Sequence, residues 1–287
     1  MKFRYIPALI LSLLFTLSSS CPAGQLTFAP LPMEQKEKVL RQIAPMLRFV
    51  EQDLGSTITI SYHSDYATIL SDFQTGKIDL AFLGPLPYVE LRQAYPEAEP
   101  VVRFLNGQGK DTYTCSIITG IESGLATLQP LKDKGIGLTQ PHSTCGYLAT
   151  AHLLEQAGLS IKQSKFRYTG SHQEVALTVI RGEFAGGGIK TSIGKKYAHL
   201  GLRFLAESKP LPGFLLVANG KTMSVSDIEK IRNSLLTLKP LTNEKHRVLT
   251  RGWGKNVRNG ATTVIDSDYD VIREWLQGIT IPSQGNF

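Results

Sequence analysis

Between Leu26 and Leu276 the chain alternates short strand-like runs with amphipathic helical patterns, in two successive blocks. Strands that alternate with helices are joined by crossovers, which favours mainly parallel sheets covered by helices on both faces. In the first block 26–28 reads as a strand. Leu40, Ile43, Leu47, Val50 and Leu54 then mark a helix by their spacing, with Gly55 as its stop. Residues 57–62 alternate as a strand, and Asp65 caps a short helix that runs through Phe73 and ends at Gly76. An apolar strand at 78–83 and a helix at 85–95 follow. A polar, Gly-rich stretch at 106–111 interrupts this rhythm, and a strand at 113–119 restarts it. The second block reads as strands at 134–138, 165–168, 183–189 and 202–206, with helices at 146–157, 172–180 and 191–199. Pro210 and Pro212 break the pattern before a strand at 214–217, and helices follow at 224–238 and 268–276. Two α/β blocks crossed twice by short extended segments, near Tyr113 and near Pro210, predict a two-lobed molecule that closes on a ligand.

The N-terminus carries a different signal. Lys2 and Arg4 precede an apolar run at 6–17, broken only by Pro7, Ser12 and Thr16, and small residues fill 18–23. This is a secretory signal pattern, too short for a spanning helix of about 20 residues. Cleavage after Ala23 and a periplasmic protein are expected. The competing reading is a lipid anchor on Cys21, although Ser18 stands where a lipobox wants an aliphatic residue. Net charge is +7, and Lys2 and Arg4 account for two of it, leaving +5 after removal of 1–23. That excess is scattered, without the basic stripe and interleaved aromatics of a nucleic-acid binder. It favours small anions and no nucleic acid.

Catalytic signatures are missing from the sequence: there is no GxSxG, HExxH or CxxC, and the GQG and GIG runs at 107–109 and 135–137 lack a third glycine. The six histidines show no metal-ligand spacing, so neither a metal nor a cofactor is expected and the chain reads as a non-enzyme. Three polar turns at strand ends carry the chemistry instead. Ser143, Thr144 and Cys145 lead into a helix, where hydroxyls and free backbone N–H groups can hold an anion without a fixed cation. Gly84 and Pro85 join a strand to the helix bearing Tyr88, and ligands in open α/β sheets bind beyond such strand ends. His172 starts another helix and, if protonated, adds charge to an oxyanion site. Each of these is also what an ordinary helix cap or strand–turn–helix junction looks like.

In combination they point further. The order DYATIL, GKIDLAFLGPLPYVE, STCGYL and YTGSHQEVALTVIRGE resembles the periplasmic phosphonate/phosphite/phosphate-binding proteins of ABC importers, over essentially the whole of 26–276. The resemblance implies a type II periplasmic-binding-protein fold: two α/β lobes joined by a two-stranded hinge, with the ligand cleft between them. It implies a discontinuous first lobe, 24–112 plus 208–287, a second lobe at 113–207, and a monomer that delivers a small oxyanion to an ABC permease. It also implies that Tyr66 and Tyr88 are aromatic hydroxyl donors, that Ser143 and Thr144 hold phosphorus-bound oxygens, and that His172 contacts the oxyanion. Two departures stand out. Cys115 and Cys145 replace small hydroxyl residues, and the KPLPGFLL stretch around Pro212 lacks the carboxylate that would pair a ligand ammonium, which argues against an aminophosphonate.

The cysteines admit three readings: a disulfide, as an oxidising compartment favours; a site for a thiophilic species; or two unrelated buried thiols. The second supports an alternative function, a periplasmic arsenite or oxyanion sensor that uses Cys115 and Cys145 and signals to a membrane histidine kinase.

Overall fold

A computed structural model describes residues 24–287; the expected export signal and Cys21 lie outside the described residues. The first lobe is a six-stranded sheet in the order β13-β4-β12-β3-β1-β2. Its strands are β1 (Gln25–Pro30), β2 (Thr57–Ile60), β3 (Leu80–Leu83), β4 (Ala98–Phe104), β12 (Leu215–Asn219) and β13 (Ala261–Thr262). The second lobe is a five-stranded sheet in the order β10-β6-β9-β7-β8. It comprises β6 (Cys115–Gly120), β7 (Gly135–Leu138), β8 (Lys165–Tyr168), β9 (Gly186–Lys190) and β10 (Leu202–Glu207). Between them β5 (Thr112–Tyr113) and β11 (Leu211–Pro212) pair antiparallel, Tyr113 opposite Leu211, as a two-stranded hinge.

The helices are α1 (Lys36–Leu54), α2 (Tyr66–Gln74), α3 (Pro85–Ala94), α4 (Ala149–Gln156), α5 (His172–Ile180), α6 (Thr191–Tyr197), α7 (Val225–Thr237), α8 (Glu244–Thr250) and α9 (Asp270–Leu276). Their starts and stops follow the chemistry of their ends. Asp65 accepts the Thr68 N–H and Ser171 accepts the Glu174 N–H, while Gly55 ends α1 in the left-handed conformation, φ 70°.

Two expectations are corrected and one strand is added. The sheets are mixed, because β12 runs antiparallel to β3 and β4, and β6 antiparallel to β9 and β10. Each of these strands enters its lobe directly from a hinge crossing, so no crossover helix sets its direction. β4 is a strand that the sequence pattern hid. Pro100 interrupts its apolar run and is tolerated because the β12–β4 register shifts between Leu216 and Val217, opposite Val102 and Pro100. The helix expected at 146–157 begins earlier, as a π-helical turn over Thr144–Leu148.

The tail beyond α9 returns to the second lobe and lies on the outer edge of β8. Phe166 N–H donates to Asn286 Oδ1 at 2.7 Å, Asn286 N–H donates to the Phe166 carbonyl at 3.0 Å, and Tyr168 Oη donates to the Pro282 carbonyl at 2.7 Å. An edge strand that would otherwise offer unpaired backbone groups is thereby covered.

Candidate functional site

The two lobes meet around a small space of about 10 Å³ at the hinge, with room for about one water. Tyr66, Ser143, Thr144, Cys145 and His172 line it, together with Tyr113, Phe214, Leu31, Gly84 and Pro87. Tyr66 stands at the first position of α2, where the Asp65 cap starts the helix, and its own N–H donates to Gln140 Oε1 at 2.9 Å. Gln140 comes from the turn after β7, and its amide nitrogen also donates to the carbonyls of Ser64 (3.0 Å) and Gly170 (2.6 Å). One side chain therefore ties the two lobes together beside the cavity. Leu86 N–H crosses from α3 to Thr144 Oγ1 at 2.9 Å, which occupies an acceptor of that hydroxyl and leaves its hydrogen free to donate.

The turn around Ser143 is built by close approach of backbone to backbone. Gly146 has non-helical angles (φ −71°, ψ −109°), and a Cβ there would lie 2.6 Å from Thr139 Oγ1. Opposite it, a Cβ on Gly188 would fall 2.0 Å from Thr150 Oγ1 and 2.8 Å from the Cys145 carbonyl. The glycines of β9 thus let the π-turn sit directly on the sheet. Ser143 N–H is used by the Gln140 carbonyl and Gly146 N–H by the Ser143 carbonyl. Among the described residues the Thr144 and Cys145 amides have no backbone acceptor, so two donors remain at this helix start.

Cys115 and Cys145 form a disulfide, with Cα atoms 5.1 Å apart. This corrects the thiol-based readings. The sulfurs are bonded to each other, neither is a thiolate ligand or nucleophile, and the bridge fastens the π-turn to the start of β6. The arsenite-sensing alternative loses the two thiols it needed. Cys145 lines the cavity; Cys115 does not.

Tyr88 is not brought to the cleft either. Its hydroxyl donates to Asp266 Oδ1 at 2.7 Å and its ring packs on Tyr269 with centroids 4.8 Å apart, inside the first lobe. The second aromatic hydroxyl at the cavity is that of Tyr113, from the hinge, buried and without a hydrogen-bond partner among the described residues. Burial raises the Tyr66 and Tyr113 phenols far above their usual range, offset slightly by the neighbouring hydroxyls of Ser143 and Thr144, so both are neutral donors.

His172 is neutral as well, so it does not add the charge that a protonated imidazole would have brought. Its Nδ1 accepts the Lys190 N–H at 3.1 Å, placing the ring proton on Nε2, and burial with the nearby Lys190 charge pushes its pKa down to about 3. A cation the sequence did not signal stands behind it. Lys190, at the carboxyl end of β9, is only 6 % exposed; its Nζ lies 4.0 Å from the Phe214 ring centroid and 3.1 Å from Asn256 Oδ1. The positive charge is not scattered in space. A larger cavity of about 770 Å³, on the far side of Tyr113 and Phe214, is lined by seven basic and two acidic side chains.

Comparisons with known proteins agree with this fold. Residues 28–269 match the family described as "ABC transporter, phosphonate, periplasmic substrate-binding protein". The chain is 23 % identical over 270 residues to a phosphate-import protein, PhnD, of Mycolicibacterium smegmatis, covering 86 % of this chain and 84 % of that one. It is 23 % identical over 273 residues to the phosphonates-binding periplasmic protein of Escherichia coli, covering 88 % and 80 %. In fold it resembles PhnD1 of Prochlorococcus marinus, solved in complex with methylphosphonate, at a TM-score of 0.78 and 17 % identity over 88 % of this chain and 97 % of that one. No helix among the described residues is long and apolar enough to cross a membrane. The chain belongs to the phosphonate-binding family of periplasmic substrate-binding proteins, the non-enzymatic ligand carriers of ABC transporters.

Proposed function

We propose that the protein clasps a small phosphorus oxyanion (phosphite, phosphate or a simple phosphonate) in the periplasm and hands it to an ABC permease. The observation that carries the reading is the convergence of five neutral donor side chains, Tyr66, Tyr113, Ser143, Thr144 and His172, on one small space at the hinge. A buried oxyanion is stable only if most of its oxygens receive hydrogen bonds, and donors to an ionised acceptor form the stronger kind. The Thr144 and Cys145 amides add to them at a helix start. The space between these groups has room for about one water, less than a tetrahedral anion needs, so the lobes part at β5 and β11 to admit it. Relatives named for phosphate import and for phosphonate binding, and one solved with methylphosphonate, support the choice of phosphorus over other anions.

A thermal-shift panel tests this. Phosphite, phosphate and methylphosphonate at millimolar concentration should include at least one that raises Tm by several degrees, while arsenite does not, because a ligand bound only by the folded state stabilises it in proportion to ln(1+[L]/Kd). Equal responses to sulfate and to every phosphorus anion, or none to any of them, would remove the reading.

A further inference from the structure

Lys190 is a buried cation that the closed site does not use. Its ammonium takes part in no ion pair among the described residues; its neighbours are the neutral Asn256 and the faces of Phe214 and Tyr113. The nearest acid that acts on it, Glu34, is already shared between Lys38 and Lys196. An isolated buried charge is costly, and a site that keeps one is suited to a partner of opposite sign that arrives from outside. Lys190 lines the larger cavity and not the small one, whereas Tyr113, Phe214 and Leu31 line both. A molecule whose head sits among the five donors can therefore run along the edges of these two packed rings, whose centroids are 5.1 Å apart, and present its far end to Lys190.

We infer that Lys190 and Asn256 form a second anion subsite, and that the ligand is a phosphonate or phosphate ester bearing a further acidic group on a short apolar linker. The inference rests on the oxyanion reading above, and it fixes the sign of charge that the ligand's other end must carry. Burial pulls the Lys190 ammonium down to about 7, with Glu34 opposing and the neighbouring His172 neutral, so an anion beside it would be bound together with a proton. An ammonium-bearing ligand would meet like charge there.

Calorimetry with methylphosphonate, 3-phosphonopropionate and 2-aminoethylphosphonate tests the subsite. The wild-type protein should bind 3-phosphonopropionate about tenfold or more tightly than methylphosphonate, with 2-aminoethylphosphonate weakest, as a charge-assisted bond would give. Lys190→Gln should abolish that preference and Lys190→Arg should keep it. Because removing a buried cation can disturb folding, Asn256→Asp is a second variant. It places a carboxylate at the ammonium and should lower 3-phosphonopropionate affinity about tenfold without removing Lys190. Proton uptake on binding, read from the heat in buffers of different ionisation enthalpy, should occur for 3-phosphonopropionate and vanish in Lys190→Gln. Three ligands of equal affinity, or a Lys190→Gln variant that weakens all three alike, would overturn the subsite while leaving the oxyanion reading in place. Silence from every phosphorus anion would overturn both.

Discussion

The Lys190 N–H donates to Nδ1 of His172 at 3.1 Å, so the last residue of β9 sets the tautomer of the first side chain of α5. The imidazole reaches the cavity as a neutral Nε2–H donor, and the positive charge beside it belongs to the lysine. Discrimination at the head of the ligand therefore depends on hydrogen bonds, and the Lys190 ammonium lies against the Phe214 and Tyr113 rings, outside the small cavity.

The first prediction concerns this histidine. Burial depresses its folded pKa to about 3 from the ordinary 6.5, so folding favours the neutral ring. The sign follows: stability is fully present above the unfolded value and declines as pH falls through 6.5 towards 3. Melting curves from pH 8 to pH 4 should show Tm falling on the acid side, and His172→Gln should flatten that fall. His172→Gln should also weaken oxyanion binding by about tenfold or more at pH 7.5.

A second prediction separates two tyrosines. Tyr88→Phe removes a bond to Asp266 away from the cavity, so it should lower stability by about 1 kcal/mol and leave anion affinity unchanged. Tyr113→Phe removes a buried hydroxyl that lacks a protein partner, so stability without ligand should hold or rise while affinity falls about tenfold. Chemical denaturation and calorimetry on the same two variants measure both quantities.

The third prediction is the disulfide. Cys115–Cys145 closes a loop of 30 residues, and its loss should cost about 3–4 kcal/mol by loop-closure entropy. Oxidised protein should show no reactive thiol from either residue. Reduction, or Cys115→Ser with Cys145→Ser, should lower Tm and also loosen the Ser143–Thr144 turn, so that affinity drops along with stability.

Closure should respond to pH through a different pair. His142, on the turn after β7, lies 2.8 Å from Glu90 on α3, and that carboxylate raises the histidine's pKa. Because the shift is upward, the pair stabilises the closed arrangement below the ordinary histidine value and releases it as pH rises through the raised one. Small-angle scattering of the ligand-free protein should show a more open average shape at pH 8.5 than at pH 5.5, and Glu90→Gln should remove the difference.

Most of the fold was legible because local signals agreed with it: the Asp65 and Ser171 caps, the Gly55 stop and the apolar strand at 80–83 each decide their element alone. β4 was not legible, since Pro100 masks a strand that only the partner's bulge permits. At the site, Ser143, Thr144 and His172 could be found because they sit at helix starts, which sequence marks well, whereas Tyr66 came only from the family resemblance. Tyr88 misled because it lies one turn into α3, where side-chain direction depends on Asp266, 178 residues away. Tyr113 and Lys190 end a hinge strand and a glycine-rich strand, and nothing local tells such a residue from any other strand terminus. The chain's modest positive charge carried the same ambiguity. Only the closing of two lobes collects its lysines around one cavity.

The central claim is that the Ser143–Thr144 helix start and the hinge tyrosine grip a phosphorus oxyanion. Its most direct test is calorimetric titration of phosphite, phosphate and methylphosphonate into wild-type protein and into a Ser143→Ala, Thr144→Val double variant, with melting curves run alongside. The account predicts one-site binding of at least one of the three by the wild type, and an affinity about a hundredfold lower in a double variant that still folds. Unchanged affinity in that variant, or no heat from any of the three anions at millimolar concentration, would contradict it.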